Sequence, residues 1–299
     1  AGGPHLHFEV RDENEKPINP LQWGFNIADS QSPKVGSLRV IPMDSQGLEN
    51  RSRTLEVPSG VLFEIPSGHV RLAVEANDQL DAASNICGVY SMEVFVGGDL
   101  YSSLAIDTLD FYTNKDMNAH SYYPEWKSLR TQIHRFTPLP GNRLPIYDFT
   151  PAVNLEVIED STMNISVRCS DAHGNITTRL YTLLGGGSFE QALESSQSTS
   201  VFCPAMPSTE TILEDGGVKV VWPKRSFYSR ENASLQLFSN GEFFIGPEDA
   251  ALAKSFRVHI NDLEWDLSKL VAVRLSEKGI RMGVEVCKLQ ENLVTFSSR

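Results

Sequence analysis

Two imidazoles and a carboxylate stand at alternate positions near the start of this 299-residue sequence: His5, His7 and Glu9, separated by Leu6, Phe8 and Val10. A period of two is that of a β-strand, so both imidazoles leave one face while Leu6, Phe8 and Val10 point into a core that holds the strand rigid. Two histidines side by side on a rigid strand can share one metal ion or one substrate atom. On spacing alone the pair also fits two ordinary strand histidines facing solvent or a polar pocket. No Gly-x-Ser-x-Gly elbow, P-loop or dinucleotide fingerprint competes with it elsewhere in the chain.

The run Gly3-Pro4-His5-Leu6-His7-Phe8-Glu9-Val10-Arg11, followed by Pro17-Ile18-Asn19-Pro20-Leu21, resembles the C-terminal end of the lysostaphin/LytM-type zinc metallopeptidases, which cut peptidoglycan cross-links. The resemblance covers about the first twenty-five residues. It implies that His7 is a zinc ligand and His5 the catalytic histidine beside it. It also implies a metal that polarises the scissile carbonyl and acidifies a water, with His5 helping to activate that water or to stabilise the oxyanion. A catalytic zinc needs three protein ligands and an open position. The family's other two ligands form a His-x-x-x-Asp motif upstream of this strand. Here His69, His120, His134, His173 and His259 are followed four residues later by Ala73, Pro124, Pro138, Thr177 and Leu263, so the motif does not recur. The expectation is a fragment of a longer peptidase, inactive alone, whose complete form binds zinc and cleaves the peptides of peptidoglycan. A catalytically dead homologue that binds cell wall or regulates another hydrolase is the second reading.

Composition narrows the partners. The formal net charge of −12 and pI near 5.1 leave no basic face for phosphates, which argues against nucleic acid. No apolar run reaches the roughly eighteen residues of a spanning helix, so no transmembrane segment is expected, and the resemblance implies a secreted or cell-envelope location. Cys87, Cys169, Cys203 and Cys287 form no Cys-x-x-Cys pair, which removes zinc-ribbon and thioredoxin readings. Three disulfide pairings stay open, although Cys169 continues the apolar row Met163, Ile165, Val167 and reads as a buried free thiol.

The elements that must position the histidines are almost all strands, which predicts an all-β chain. Residues 1–30 read as the end of a peptidase domain: its terminal strand, then a tail in which Trp23 and Phe25 supply aromatic packing. Residues 31–184 read as an immunoglobulin-like β-sandwich, with alternating rows at 70–76, 90–96 and 163–169 and a primed turn at Gly97-Gly98. The stretch from Asn77-Asp78 to Val96, with Pro145 to Phe149, is similar to the sandwich that follows the peptidase domain in LytM-type proteins of the Bacteroidetes. Within it, 114–136 reads as a helical insertion capping the sandwich: Trp126, Leu129, Ile133 and Phe136 fall at helical spacing and Pro124 suits the first turn. The same stripe also fits a ligand platform. Residues 185–214, starting Gly185-Gly186-Gly187, read as a linker. Strands resume over 215–299 as a second sandwich, with one helical turn at Pro247 to Leu252 and a truncated end. Asn77, Asp78, Asp81 and Asn85 offer oxygens to calcium, but not at EF-hand spacing, and Asp and Asn are also turn formers. His173 reads as a hairpin-tip residue.

Overall fold

The computed structural model describes residues 8–25, 27–151, 154–188, 201–238, 242–261, 271–275, 281–290 and 293–298. It is 50% strand and 8% helix, which makes the chain all-β. Two compact units divide it, residues 1–194 and 195–299.

In the first unit, β1 (Val10–Arg11) pairs antiparallel with β2 (Pro17–Ile18). The Asp12 carboxylate accepts from the amides of Asn14 and Lys16 and closes the turn between them. This segment is held to the unit by backbone bonds, Asn19 N–H to Asp107 O at 2.8 Å and Leu109 N–H to Pro17 O at 2.9 Å. The strands that follow are β3 (Lys34–Pro42), β4 (Leu55–Val57), β5 (Leu62–Asn77), β6 (Ser91–Val96), β7 (Asp99–Ala105), β8 (Ile133–Arg135), β9 (Tyr147–Phe149), β10 (Leu155–Val157), β11 (Thr162–Ser170) and β12 (Ile176–Ser188). Their order is β4-β3-β5-β12-β11-β6-β7-β9, with β8 and β10 also on β5.

β5 unites the sheet because it changes partners midway. Leu62 to Ser67 runs parallel to β12, whereas Val70 to Asn77 runs antiparallel to β3. The break falls at Gly68, whose φ of 132° suits a residue without a Cβ. One apolar core takes Leu38, Val40, Leu72 and Val74 from one part of the sheet and Met92, Val94, Ile165, Val167, Cys169 and Leu183 from the other. Cys169 is a buried free thiol, as its row predicts. Gly97 and Gly98, at φ 62° and 97°, form the two-residue turn between β6 and β7, closed by the Val96–Asp99 pair.

The expected helix over 114–136 is much shorter. The insertion folds as a 3-10 turn (Asn114–Asp116), α1 (Met117–His120) and α2 (Tyr123–Leu129), with Pro124 in the first turn of α2. Arg130 is left-handed, φ 58°, which ends the helix. Ile133 and Phe136 are core residues because Ile133–Arg135 becomes β8 on β5, while Leu129, on the same nominal stripe, is exposed. α2 is fastened by Arg39, whose Nε and Nη2 donate to both oxygens of Glu125 at 2.7 and 2.9 Å.

The linker reading of 185–214 meets strand at both ends. β12 continues through the glycines to Ser188, and β13 (Val201–Ala205) and β14 (Thr211–Asp215) belong to the second unit. Gly185 is needed for close approach rather than flexibility: a Cβ there would stand 2.0 Å from the carbonyl oxygen of Ile158. Its N–H and C=O are bonded to Ser161 and Asp160 at 2.9 Å each. Gly185→Ala must push two backbones apart, and we expect it to lower stability by about 3 kcal/mol in urea denaturation.

The second unit adds β15 (Val218–Trp222), β16 (Glu231–Leu237), β17 (Phe243–Gly246), β18 (Phe256–Ile260), β19 (Val271–Leu275), β20 (Arg281–Val286), β21 (Lys288–Gln290) and β22 (Leu293–Ser298). A β13-β16-β17 sheet and a β14-β15-β18-β22-β21 sheet contribute Leu235 and Ala233, and Val220, Trp222 and Val258, to one core. Residues 248–249 form a turn rather than the expected helical turn.

Candidate functional site

His5 and His7, together with Leu6, lie outside the described residues. Their immediate successors show what the segment does next. Regular pairing begins at Val10, one residue after Glu9, whose carboxylate is held by the Arg11 guanidinium. Arg11 also bonds Glu15 and lies 5.1 Å above the Phe111 ring. Phe8, expected to face a core, is instead 59% exposed and is met edge-on by Phe25 at 5.1 Å. The donor chemistry of the pair, two imidazoles, suits zinc.

A second group of candidate ligands is fully described and lies at one corner of the first unit. Among the described residues, Asp29, Asp171 and His173 bring one ligand atom each to within 4.8 Å of one another. The β11–β12 hairpin supplies two of them. Asp171 Oδ1 accepts from the amides of His173 and Asn175 at 2.9 and 2.8 Å, and its Oδ2 accepts from Asn175 Nδ2 at 2.7 Å, which shapes the loop. Asp29 comes from the segment leading into β3. Its Oδ1 accepts from the amides of Gln31 and Asp81 at 3.2 and 3.1 Å, and its backbone carbonyl accepts from Asn175 Nδ2. The Asp29 side chain has no exposed surface, and its Oδ2 has no hydrogen-bond partner. His173 Nδ1 stands 3.7 Å from that oxygen, in ion-pair range but too far for a hydrogen bond.

Asp78, at the end of the loop closed by its backbone bonds to Cys87, adds a third carboxyl. It is 4% exposed and its Oδ1 also lacks a partner. Burial raises its pKa, and the charges of Asp171 and Asp29 push the same way against the opposing pull of a Gln79 hydrogen bond and His173. The oxygens weighed for calcium in the loop of Asn77, Asp78, Asp81 and Asn85 are therefore divided. Asp81 Oδ2 is taken by the amide and hydroxyl of Ser30, while Asp78 joins a group drawn from two other segments. Sequence reading placed Asp29 at the end of the 1–30 segment and His173 at a hairpin tip; the clue it held was the close spacing of Asp171, His173 and Asn175 in one loop.

The buried histidines His120 and His134 form a different arrangement. His134 Nε2 lies 3.1 Å from the carbonyl oxygen of Ala76, which can only accept, so that nitrogen carries the proton. Neutral His134 then accepts at Nδ1 from His120 Nε2 at 2.9 Å, and His120 accepts at Nδ1 from the Tyr147 hydroxyl at 2.8 Å. The partners fix every tautomer. Burial holds His134 down to about 4, and it holds His120 well below the usual range, helped by His134 and Arg135. A further proton on His134 would set its Nδ1–H against the His120 Nε2–H, and one on His120 would force the Tyr147 hydroxyl to turn from donor to acceptor. The chain is closed off from solvent, and its role is to tie α1, β8, β5 and β9 together.

Compared with known protein families, curated proteins and solved structures, the chain matches none.

Proposed function

We propose that this chain is part of a zinc metalloendopeptidase that cuts the peptide cross-links of peptidoglycan, acting in the cell envelope or outside the cell. The observation that carries this reading is the alternation of His5, His7 and Glu9 inside a run that resembles the last strand of LytM-type peptidases. His7 would be a zinc ligand and His5 the catalytic histidine on the same strand face, and the zinc would supply Lewis-acid activation of the scissile carbonyl. The exposed apolar side chains of the following segment support it. Phe8, Trp23, Phe25 and Ile27 are between 42% and 63% exposed, an apolar strip of the kind that a partner surface covers. A peptidase domain is such a partner.

In the same reading the two β units are immunoglobulin-like accessory sandwiches, each with one main apolar core. Among the described residues no helix is long and apolar enough to cross a membrane. The test is full-length protein on purified peptidoglycan with and without chelator. Cleavage that chelator abolishes, and that His7→Ala reduces by about a thousandfold or more, is the expected result. Full cleavage by His7→Ala, or chelator-insensitive binding without cleavage, overturns it.

A further inference from the structure

We propose that Asp29, Asp171 and His173 hold a divalent transition-metal cation of the Zn²⁺ or Mn²⁺ type, with Asp78 beside them, at the corner where the chain enters β3. This site uses neither His5 nor His7 and does not depend on the endopeptidase reading.

Three observations carry it. The first is geometric. Tetrahedral ligands about 2.1 Å from one ion lie roughly 3.4 Å apart; Asp29 Oδ2 and His173 Nδ1 are at 3.7 Å, and the three donor atoms are within 4.8 Å of one another. Closing the site needs each ligand atom to move by about 1 Å or less.

The second is the unmet bonding of two buried carboxyl oxygens. Asp29 Oδ2, on a side chain with no exposed surface, and Asp78 Oδ1, on a residue 4% exposed, have no hydrogen-bond partner. A buried carboxylate oxygen left without a donor is costly, and the cost disappears when it ligates a cation. The other oxygen of Asp29 is fixed by two backbone amides, so the free one is aimed rather than loose.

The third is charge. Asp29, Asp78 and Asp171 bring three carboxyls into one corner, and the cationic group in ion-pair range of Asp29 there is His173, when protonated. A divalent ion balances this set and leaves the imidazole neutral, as a ligand must be. One imidazole among carboxylates favours a borderline cation over calcium, which takes oxygen donors.

Such an ion would fasten the 29–31 segment to the β11–β12 hairpin.

The experiment uses the whole chain carrying His5→Ala and His7→Ala, which removes the other imidazole pair. Zinc chloride, manganese chloride and calcium chloride are titrated in separate arms, with thermal unfolding followed and metal content measured after dialysis. The expected result is one Zn²⁺ or Mn²⁺ per chain and a saturable rise in Tm of roughly 5 °C at a hundredfold excess over Kd. Asp29→Asn keeps the accepting oxygen for the two amides, and His173→Ala removes an imidazole whose Nδ1, 3.7 Å from Asp29 Oδ2, is beyond hydrogen-bond reach of it. Both should fold with a metal-free Tm near that of the parent and lose the rise. No saturable rise with Zn²⁺ or Mn²⁺, or a rise that survives in either variant, overturns the proposal.

Discussion

Glu49→Gln should destabilise the first unit by about 3–5 kcal/mol, the cost of breaking a buried ion pair from one side. Glu49 has 1% of its side chain exposed, and its carboxylate receives Arg135 Nη1 and Nη2 at 2.6 and 2.9 Å, Arg71 Nη1 at 3.2 Å and Arg51 Nη1 at 3.5 Å. Burial by itself would raise its pKa, yet the field of Arg135, with Arg71 and Arg51 behind it, brings the value down to about 2. The carboxylate thereby joins the loop after β3 to β5 and β8. Glutamine keeps the shape but removes the charge, which leaves the guanidinium of Arg135, itself 3% exposed, without a counter-ion. Urea denaturation of the variant checks this; a loss below about 1 kcal/mol would mean that the cluster is held by packing rather than by charge.

Stability should also fall steeply in mild acid because of His120 and His134. Both are neutral in the fold, with pKa values below the ordinary 6.5, His134 at about 4. As pH falls below 6.5 the unfolded chain takes up protons that the folded chain refuses. The stabilisation is therefore complete above about pH 6.5 and is lost as pH drops toward 4. The slope approaches roughly 1.4 kcal/mol per pH unit for each histidine, and through His134 alone the loss is about 3 kcal/mol by pH 4. Glu49 acts lower down: its contribution is present above about pH 4.5 and is lost toward pH 2. Urea midpoints at pH 7.5, 6 and 5 should fall in order for the parent chain. In His120→Gln, with one titrating ring fewer, they should fall less. A flat profile between pH 7.5 and 5 would contradict the relay and its tautomers.

The regular strands were legible because their two faces differ. In β11, Ile165, Val167 and Cys169 are buried and alternate with more exposed residues, which is the pattern seen in the sequence. The Gly97-Gly98 turn was legible because two adjacent positions need positive φ. β8 was not, since Ile133, His134 and Arg135 are all buried and two of them are polar; only the partners Ala76 and Glu49, far away in sequence, make that burial tolerable. The same blindness to distant partners turned Gly185 into a linker residue, because the carbonyl of Ile158 that excludes a side chain there is a tertiary neighbour. The corner of Asp29, Asp78, Asp171 and His173 is assembled from three segments, with Asp29 and Asn175 joined across 146 positions, so no local spacing announces it. His5 and His7 are the opposite case: their spacing left the chemistry open, the resemblance of the run around them implied it, and their structure lies outside the described residues.

The most direct measurement is mass spectrometry of the fragments that full-length protein releases from purified peptidoglycan. The endopeptidase reading predicts hydrolysed peptide cross-links with intact glycan strands, abolished by chelator and absent with His7→Ala. Glycan cleavage, or the same cross-link products from His7→Ala, would contradict it.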